Sequence, residues 1–491
     1  MILALIRIIK MLIAIDQGTS SSRVIAFSHA GQKVMTKQYP LTLSYPNPGW
    51  VELDPQAMWQ TTARALREIL LEYRDPVAIG ITNQRETTIL WDKLTGAPIK
   101  SAIVWQDRRT QAYCETLKDR TAWFYEKTGL IPDAYFSATK IKWLLDNTDG
   151  LRERARKGEV LFGTVDSYLL WHLTQGQSHK TDVTNASRTL IFNIHTLAWD
   201  EDLLKFFDIP REMLPEVMPT DAHFGTLQGF GADIPITGMI GDQQGALVGQ
   251  GCVSEGLVKA TYGTGGFVMI NTGSEVPVTF NGLIATVAYT IQGQTAYALE
   301  GSIYQAGSMI KWLRDVLHVL PDAASSETLA SSFDSNGGVY LIPSFTGLGA
   351  PFWRDETGAQ LLGLTLQSTP AHIVRAVLES VAYQTNAILD VMRLSASVSS
   401  LRVDGGMANN DWLLGLIEAL SDVSIEKSKE LELTAKGAAI VAGIGVGLYS
   451  DLSVCERLWV KDEVRRKYQY RDVDYGYTHW NSMIKKTPFS R

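Results

Sequence analysis

The sequence predicts an α/β protein of two large domains facing each other across a ligand cleft. Three observations carry this. Strand-like runs alternate with helical patterns throughout the chain. Its 491 residues exceed what a single hydrophobic core normally serves. An unusual strand–turn–strand unit occurs twice, about half a chain apart. In the first copy an apolar run, Leu12 to Ile15, ends in Asp16-Gln17-Gly18-Thr19-Ser20-Ser21-Ser22-Arg23 and resumes at Val24 to Phe27. Gly18 lets backbone come close to a ligand, and the hydroxyls and turn amides can donate to phosphate oxygens. Asp16 beside phosphates makes sense when a cation such as Mg²⁺ lies between them. The second copy runs Leu257 to Met269 through Tyr262-Gly263-Thr264-Gly265-Gly266-Phe267. Either turn alone reads first as an ordinary hairpin. Together they suggest two related halves closing on one nucleotide.

Along the chain, Asp54-Pro55 is a cap and first-turn pair for a helix through Met58, Ala63, Leu66, Ile69 and Leu70. Val77 to Thr82 reads as a strand, and Leu161 to Asp166 leads into an apolar helix around Tyr168 to Leu173. Ile236 to Ile240 is a strand ending in Gly241-Asp242, with a helix starting at Gln243. In the second half, Ser302 to Leu313 has helical spacing and Thr369-Pro370 opens a long helix. Leu401 to Asp404 is a strand into Gly405-Gly406, and Trp412 to Leu420 is helical. Thr434 to Gly447 is rich in small residues, so a helix there can pack very close to a neighbour. The boundary is placed near Val253 to Gly256, giving an N-terminal lobe 11–253 and a C-terminal lobe 254–491. No low-complexity linker marks it, which implies a packed hinge. A tail from about Trp459, with Tyr468, Tyr470, Tyr475 and Trp480, should pack against the body.

Composition excludes several classes. Lys and Arg total 45 against 52 Asp and Glu, a net charge of -7, so there is no basic excess to neutralise a nucleic-acid backbone. The three cysteines, Cys114, Cys252 and Cys455, lie far apart, which fits a reducing cytoplasm and neither zinc nor a disulfide framework. No apolar run approaches the ~20 residues of a membrane span. Met1 to Lys10 reads as an appended or mis-started leader, because its apolar run continues without a cleavage site into the first strand.

Neither common nucleotide signature is present: the dipeptide Gly-Lys never occurs, and no Gly-rich turn has dinucleotide spacing. Asn83-Gln84-Arg85-Glu86 comes directly after a strand, where Arg85 could donate to and Glu86 accept from a polyhydroxyl ligand. A lone Arg-Glu pair reads first as an exposed ion-pair turn. Asp242, between strand and helix, is a general-base candidate or a helix cap. Trp105, beside Gln106-Asp107-Arg108-Arg109, and Tyr135 are ligand-wall candidates or plain packing residues.

In combination these segments resemble the glycerol kinases, members of the sugar-kinase family with the actin- and hexokinase-like (ribonuclease H-like) ATPase fold. The resemblance rests on Asp16 to Arg23, Asn83 to Glu86, Trp105 to Arg109, Asp133 to Lys140, Gly241 to Gln244, Tyr262 to Phe267 and Asp404 to Asn410. It implies two duplicated ATPase domains around a central cleft, binding glycerol, ATP and Mg²⁺. It implies transfer of the γ-phosphate to a terminal glycerol hydroxyl, giving sn-glycerol 3-phosphate and ADP as the first step of glycerol catabolism. Arg85, Glu86, Tyr135, Asp242 and Gln243 would bind glycerol, with Trp105 and Phe267 against its carbons and Asp242 as the base. Thr19, Ser20, Ser21 and Arg23 would hold the transferring phosphate, with Asp16 near the metal. Thr264, Gly307 and Lys311 (where a Gln often stands) would contact the nucleotide, and Gly406, Met407 and Asn410 its adenosine end. A cytoplasmic homo-oligomer, dimer or tetramer, is also implied. The loop Gln228 to Asp233 lacks the Arg associated with fructose bisphosphate inhibition.

Overall fold

The computed structural model describes residues 10–277, 281–354 and 358–486, so the leader read at 1–10 falls outside it except for Lys10. The first lobe is built on a six-stranded sheet. Its central strands are β1 (Met11–Gln17), β2 (Ser21–Ser28), β3 (Lys33–Pro40), β4 (Ala78–Asn83) and β5 (Pro235–Gly241). They lie in the order β3-β2-β1-β4-β5; β1 to β3 form an antiparallel meander, and β4 and β5 add parallel to β1. The second lobe holds a seven-stranded sheet from β6 (Leu257–Tyr262), β7 (Gly266–Gly273), β8 (Ile284–Ile291), β9 (Gln294–Ile303), β10 (Ser400–Asp404) and β11 (Ile425–Ser428), closed by a two-residue strand at Lys461–Asp462. Its order β9-β7-β6-β10-β11 repeats the first: an antiparallel hairpin in the centre, then two strands added in parallel. The duplication inferred from the paired turns is therefore one of whole sheets.

Six helices matter for the site: α1 (Pro55–Glu72), α2 (Asp242–Gly249), α3 (Gly307–Asp315), α4 (Pro370–Met392), α5 (Asp411–Ser421) and α6 (Leu433–Gly445). The capping residues behave as their chemistry dictates. The Asp54 carboxylate accepts from the Gln56 N–H at 2.9 Å, with Pro55 in the first turn. Thr369 and His372 form a capping box at the start of α4. The helical spacing from Ser302 misleads at its start: Glu300 to Ile303 pair with Gly266 to Met269, so the strand continues and α3 begins only at Gly307. Pairing fixes the backbone there and overrides the local pattern.

Helix α6 comes from the second half of the chain but lies on β1, β4 and β5 of the first sheet and against α2. Small residues make this possible. A Cβ on Gly80 would stand 2.2 Å from the Ala438 carbonyl oxygen, and one on Gly437 would stand 1.9 Å from that of Gly245. The Thr237 hydroxyl donates to the Ala442 carbonyl at 2.8 Å, fastening β5 to the same helix. The tail packs on the second lobe, Tyr470 donating to the Trp412 carbonyl at 2.7 Å and Trp480 to the Leu341 carbonyl at 2.8 Å. Tyr475 departs from the expectation: it is exposed and stacks on His479. Its ring needs no burial once His479, one helical turn on, covers one face. All three cysteines are buried and unpaired.

The α2–α6 contact leaves no room for a methyl group. Gly437→Ala should lower unfolding free energy by about 1–3 kcal/mol, the usual range for overpacking, measured by urea denaturation against wild type.

Candidate active site

Strand register places the chemistry. Gln17 of β1 and Gly241 of β5 both stand level with Asn83 of β4, so three parallel strands end on one line. The segments leaving those strands therefore meet at one edge: the turn Gly18 to Ser21, Gln84-Arg85-Glu86, and Asp242-Gln243. Carboxyl ends of parallel strands are where open α/β sheets gather ligands. The second sheet repeats the device. Thr261 is level with Asp404, and beyond them come the turn Gly263 to Gly265 and Gly405-Gly406.

Arg85 is the hub. It is 1% exposed, and its Nε lies 3.2 Å from Asp242 Oδ1 and 3.6 Å from Glu86 Oε1. Its Nη atoms reach both oxygens of Glu300, at 2.6 and 3.1 Å, and Nη1 also donates to Gln244 Oε1 at 3.2 Å. A second guanidinium, Arg188, donates to Glu86 Oε1 at 2.8 Å and to Glu300 Oε1 at 2.9 Å. Two arginines and two glutamates thus neutralise one another where no water reaches. Gly241 is required beneath them, since a Cβ there would lie 2.7 Å from Arg85 Cδ and Cγ.

Burial opposes ionisation of Glu300, but Arg188 and Arg85 outweigh it and hold the carboxyl well below its usual range. Asp242 is the contrasting case. Its side chain keeps 31% of its surface open to the cleft, yet the walls desolvate it and raise its pKa to about 6, with Arg85 pulling the other way. It is the first residue of α2, not a side-chain cap; the helix N-cap is Gly241, and Asp242 Oδ1 accepts from the Gln243 N–H at 2.7 Å.

Around this centre lie the other sequence candidates. Trp105 meets Tyr135 edge to face at 5.7 Å, and its indole N–H donates to Thr19 Oγ1 at 2.9 Å, joining the aromatic wall to the first turn. Thr19 in turn donates to Gln84 Oε1 at 3.2 Å. Phe267 stands level with Thr261 and Ser302, on the sheet face that also carries Lys259 and Glu300. Lys259 Nζ donates to Gln243 Oε1 at 2.5 Å, bridging the lobes. Arg109 is structural, pairing with Asp107 and Glu52 at 2.8 Å each.

The first turn is closed by the Gly18 N–H bonding to the Ser21 carbonyl at 3.1 Å. Ser20 is exposed, while the Ser21 hydroxyl accepts from Gln38 at 2.9 Å. Asp16 and Arg23, read from sequence as metal and phosphate contacts, stand opposite each other in the hairpin and form an ion pair. Arg23 also reaches Glu432 at 2.6 Å. Among the described residues no three Asp, Glu, His or Cys side chains gather as a metal cage. Asp16 offers one carboxylate beside the phosphate turn, which suits a Mg²⁺ ion arriving on nucleotide phosphates.

Beyond the second turn opens a cavity of about 520 Å³. Thr264, Gly307, Lys311, Gly406, Met407 and Asn410, the residues expected beyond the first turn for the nucleotide and its adenosine end, line it. The turn and α3 are locked together, the Gly307 N–H donating to the Gly263 carbonyl at 2.9 Å; a Cβ on Gly307 would come within 2.5 Å of that oxygen. Gly405 has φ +92°, a positive-φ conformation open to glycine, and turns the chain from β10 into Gly406 and Met407 of the cavity lining.

The comparisons with known proteins agree with this fold. Residues 11–249 match the N-terminal domain and 258–446 the C-terminal domain of the FGGY family of carbohydrate kinases. The chain belongs to the FGGY carbohydrate kinases. It is 49% identical over 489 residues to the glycerol kinase of Alkaliphilus oremlandii, with 97% of both chains covered. It is 47% identical to that of Coxiella burnetii, covering 97% of this chain and 98% of the relative. Among solved structures, Plasmodium falciparum glycerol kinase with ADP superposes with a TM-score of 0.92 at 35% identity, covering 98% and 99% of the two chains.

Four residues of this FGGY site escaped the sequence reading: Gln84, Arg188, Lys259 and Glu300. The last two carried a signal. Each is a charge inside an apolar strand, Leu257-Val258-Lys259-Ala260 and Tyr297-Ala298-Leu299-Glu300, and a buried charge demands a partner.

Removing one member of the buried cluster strands the others. Glu300→Gln should destabilise by about 3–5 kcal/mol. Because the native carboxyl is depressed, its contribution is complete above the unfolded pKa of ~4.3 and fades as pH falls toward about 2. The wild-type–mutant difference in urea denaturation should therefore narrow below a pH of ~4.3.

Proposed function

We propose that this protein transfers the γ-phosphate of ATP to a terminal hydroxyl of glycerol, giving sn-glycerol 3-phosphate and ADP. The observation that carries the reading is the contact of Arg85 with Asp242 in one crevice, with Glu86 and Gln243 beside them and the nucleotide-sized cavity beyond. The relatives named glycerol kinase support the same substrate.

Each residue has a task that its chemistry permits. Arg85 donates and Glu86 accepts, so the pair can hold hydroxyls in a fixed direction. Tyr135 adds a phenol, and Trp105 and Phe267 supply apolar surface for the carbon chain. Asp242 takes the proton of the attacking hydroxyl; its raised pKa brings it nearer to neutrality, where a general base works best. Thr19, Ser20 and Ser21 offer hydroxyls and amides to the transferring phosphoryl group from one side, and the Thr264 turn approaches the nucleotide phosphates from the other. Arg23 stands at the same turn, its charge shared with Asp16 and Glu432. Mg²⁺ carried on the nucleotide supplies charge neutralisation for the phosphate oxygens. Phosphoryl transfer asks mainly for alignment and charge stabilisation, and a two-lobed crevice provides both. Excluding water from the crevice prevents hydrolysis of ATP in place of transfer. The reading carries with it a cytoplasmic homo-oligomer. No described helix is long and apolar enough to cross a membrane.

A coupled assay for ADP should show turnover that depends on glycerol; ADP release indifferent to glycerol would leave only an ATPase or nucleotide-binding switch. Asp242→Asn should fold normally and lose at least about 100-fold in kcat. The base must be ionised, so kcat/KM of the wild type should fall as pH drops through about 6. A flat acid limb between about pH 7 and 5 would remove Asp242 from the role.

A further inference from the structure

Lys259 is fully buried in β6, a strand of the C-terminal lobe, yet its ammonium ends on a residue of the N-terminal lobe. It donates to Gln243 Oε1 at 2.5 Å and to Thr261 Oγ1 at 3.3 Å. Gln243 itself is only partly buried and directly follows Asp242. A side-chain amide has one accepting and one donating end, and nothing in Gln243 alone decides which end faces a ligand. An ammonium group has three donors and no acceptor. Facing Lys259, the amide must therefore present its oxygen, and its NH₂ is left toward the crevice.

We propose that Lys259 is a positioning residue for the acceptor substrate: it locks the Gln243 amide so that its NH₂ donates to a glycerol hydroxyl. The inference rests on the reading of Gln243 as a glycerol contact. Its chemical consequence is directional. A hydroxyl that accepts from Gln243 keeps its own O–H free, and the carboxylate of Asp242, the preceding residue, is the acceptor next to it. The polarity of one hydrogen bond thus points the substrate proton at the base.

The groups facing Lys259 come from every neighbouring element: Asp404 from β10, Glu300 from β9, Asp242 from α2 and Arg85 after β4. Burial lowers its pKa to about 8, against the pull of Asp404, Glu300 and Asp242, with Arg85 adding to the lowering. Below that pH the ammonium can only donate and the amide is locked. Above it the neutral amine also accepts, and the amide is free to invert.

The test is steady-state kinetics with glycerol varied at saturating ATP, on wild type, Lys259→Met, Gln243→Ala and the double variant. Each single change should raise the glycerol KM about tenfold, the worth of one hydrogen bond, and any accompanying fall in kcat should be the same in Lys259→Met and Gln243→Ala. The double variant should be no worse than Gln243→Ala, because Lys259 acts through that side chain. Wild-type KM should climb as pH passes about 8, and the climb should vanish in Gln243→Ala; this arm needs no Lys259 variant to fold. Multiplying effects in the double variant, or a fall in kcat at unchanged KM, would overturn the role and give Lys259 a separate one. An unchanged KM in Gln243→Ala would overturn both this inference and the glycerol contact on which it rests.

Discussion

The buried square of Arg85, Glu86, Arg188 and Glu300 is the constraint on which the rest of the molecule depends. Isolated charges in such a place would each cost several kcal/mol. They are tolerated because every one has an opposite charge within hydrogen-bond reach. Three of the four come from the first lobe and Glu300 from a strand of the second, so the square is satisfied only when the lobes sit in register. It therefore does two things at once. It fixes the relative placement of the two sheets, and it holds Arg85 rigid against Asp242, where the substrate must be read.

That placement has a simple origin. Each lobe is the same five-strand arrangement, three antiparallel strands with two parallel strands added on one side, and in each the chain turns sharply at the strand ends facing the cleft. In the first lobe those ends carry hydroxyls, Arg85, Glu86 and Asp242. In the second they carry Thr264 and the glycines that open the nucleotide cavity. Helix α6 then crosses back to cover the first sheet, its glycines removing the side chains that would hold it off. The lobes share one continuous structure, with a chain crossing that no single-lobe description contains.

Much of this was legible in sequence because strand ends announce themselves. Asp16 to Arg23, Arg85-Glu86 and Asp242-Gln243 each come at the end of an apolar run, and the register sets those ends side by side. The residues that the resemblance implied for the adenosine end, with those of the second turn and α3, line one cavity. Glu300, Arg188 and Lys259 stayed hidden for a physical reason: each is defined by a partner more than 15 residues away, and tertiary packing alone selects that partner. The mutual pairing of Asp16 and Arg23 was hidden in the same way, since only the hairpin register sets them opposite. The helix read from Ser302 failed because residues at the end of β9 continue a helical spacing while being hydrogen-bonded as strand.

The central claim is geometric: a triol hydroxyl lies between the Asp242 carboxylate and the terminal phosphate of ATP. A crystal structure with glycerol, Mg²⁺ and a non-hydrolysable ATP analogue tests it most directly. The account predicts a terminal hydroxyl within hydrogen-bond distance of Asp242, its neighbours on Arg85 and Glu86, and the analogue running from Asn410 past Thr264 with its last phosphate aimed at that hydroxyl. Glycerol bound away from Arg85, or a terminal phosphate directed out of the crevice, would contradict it.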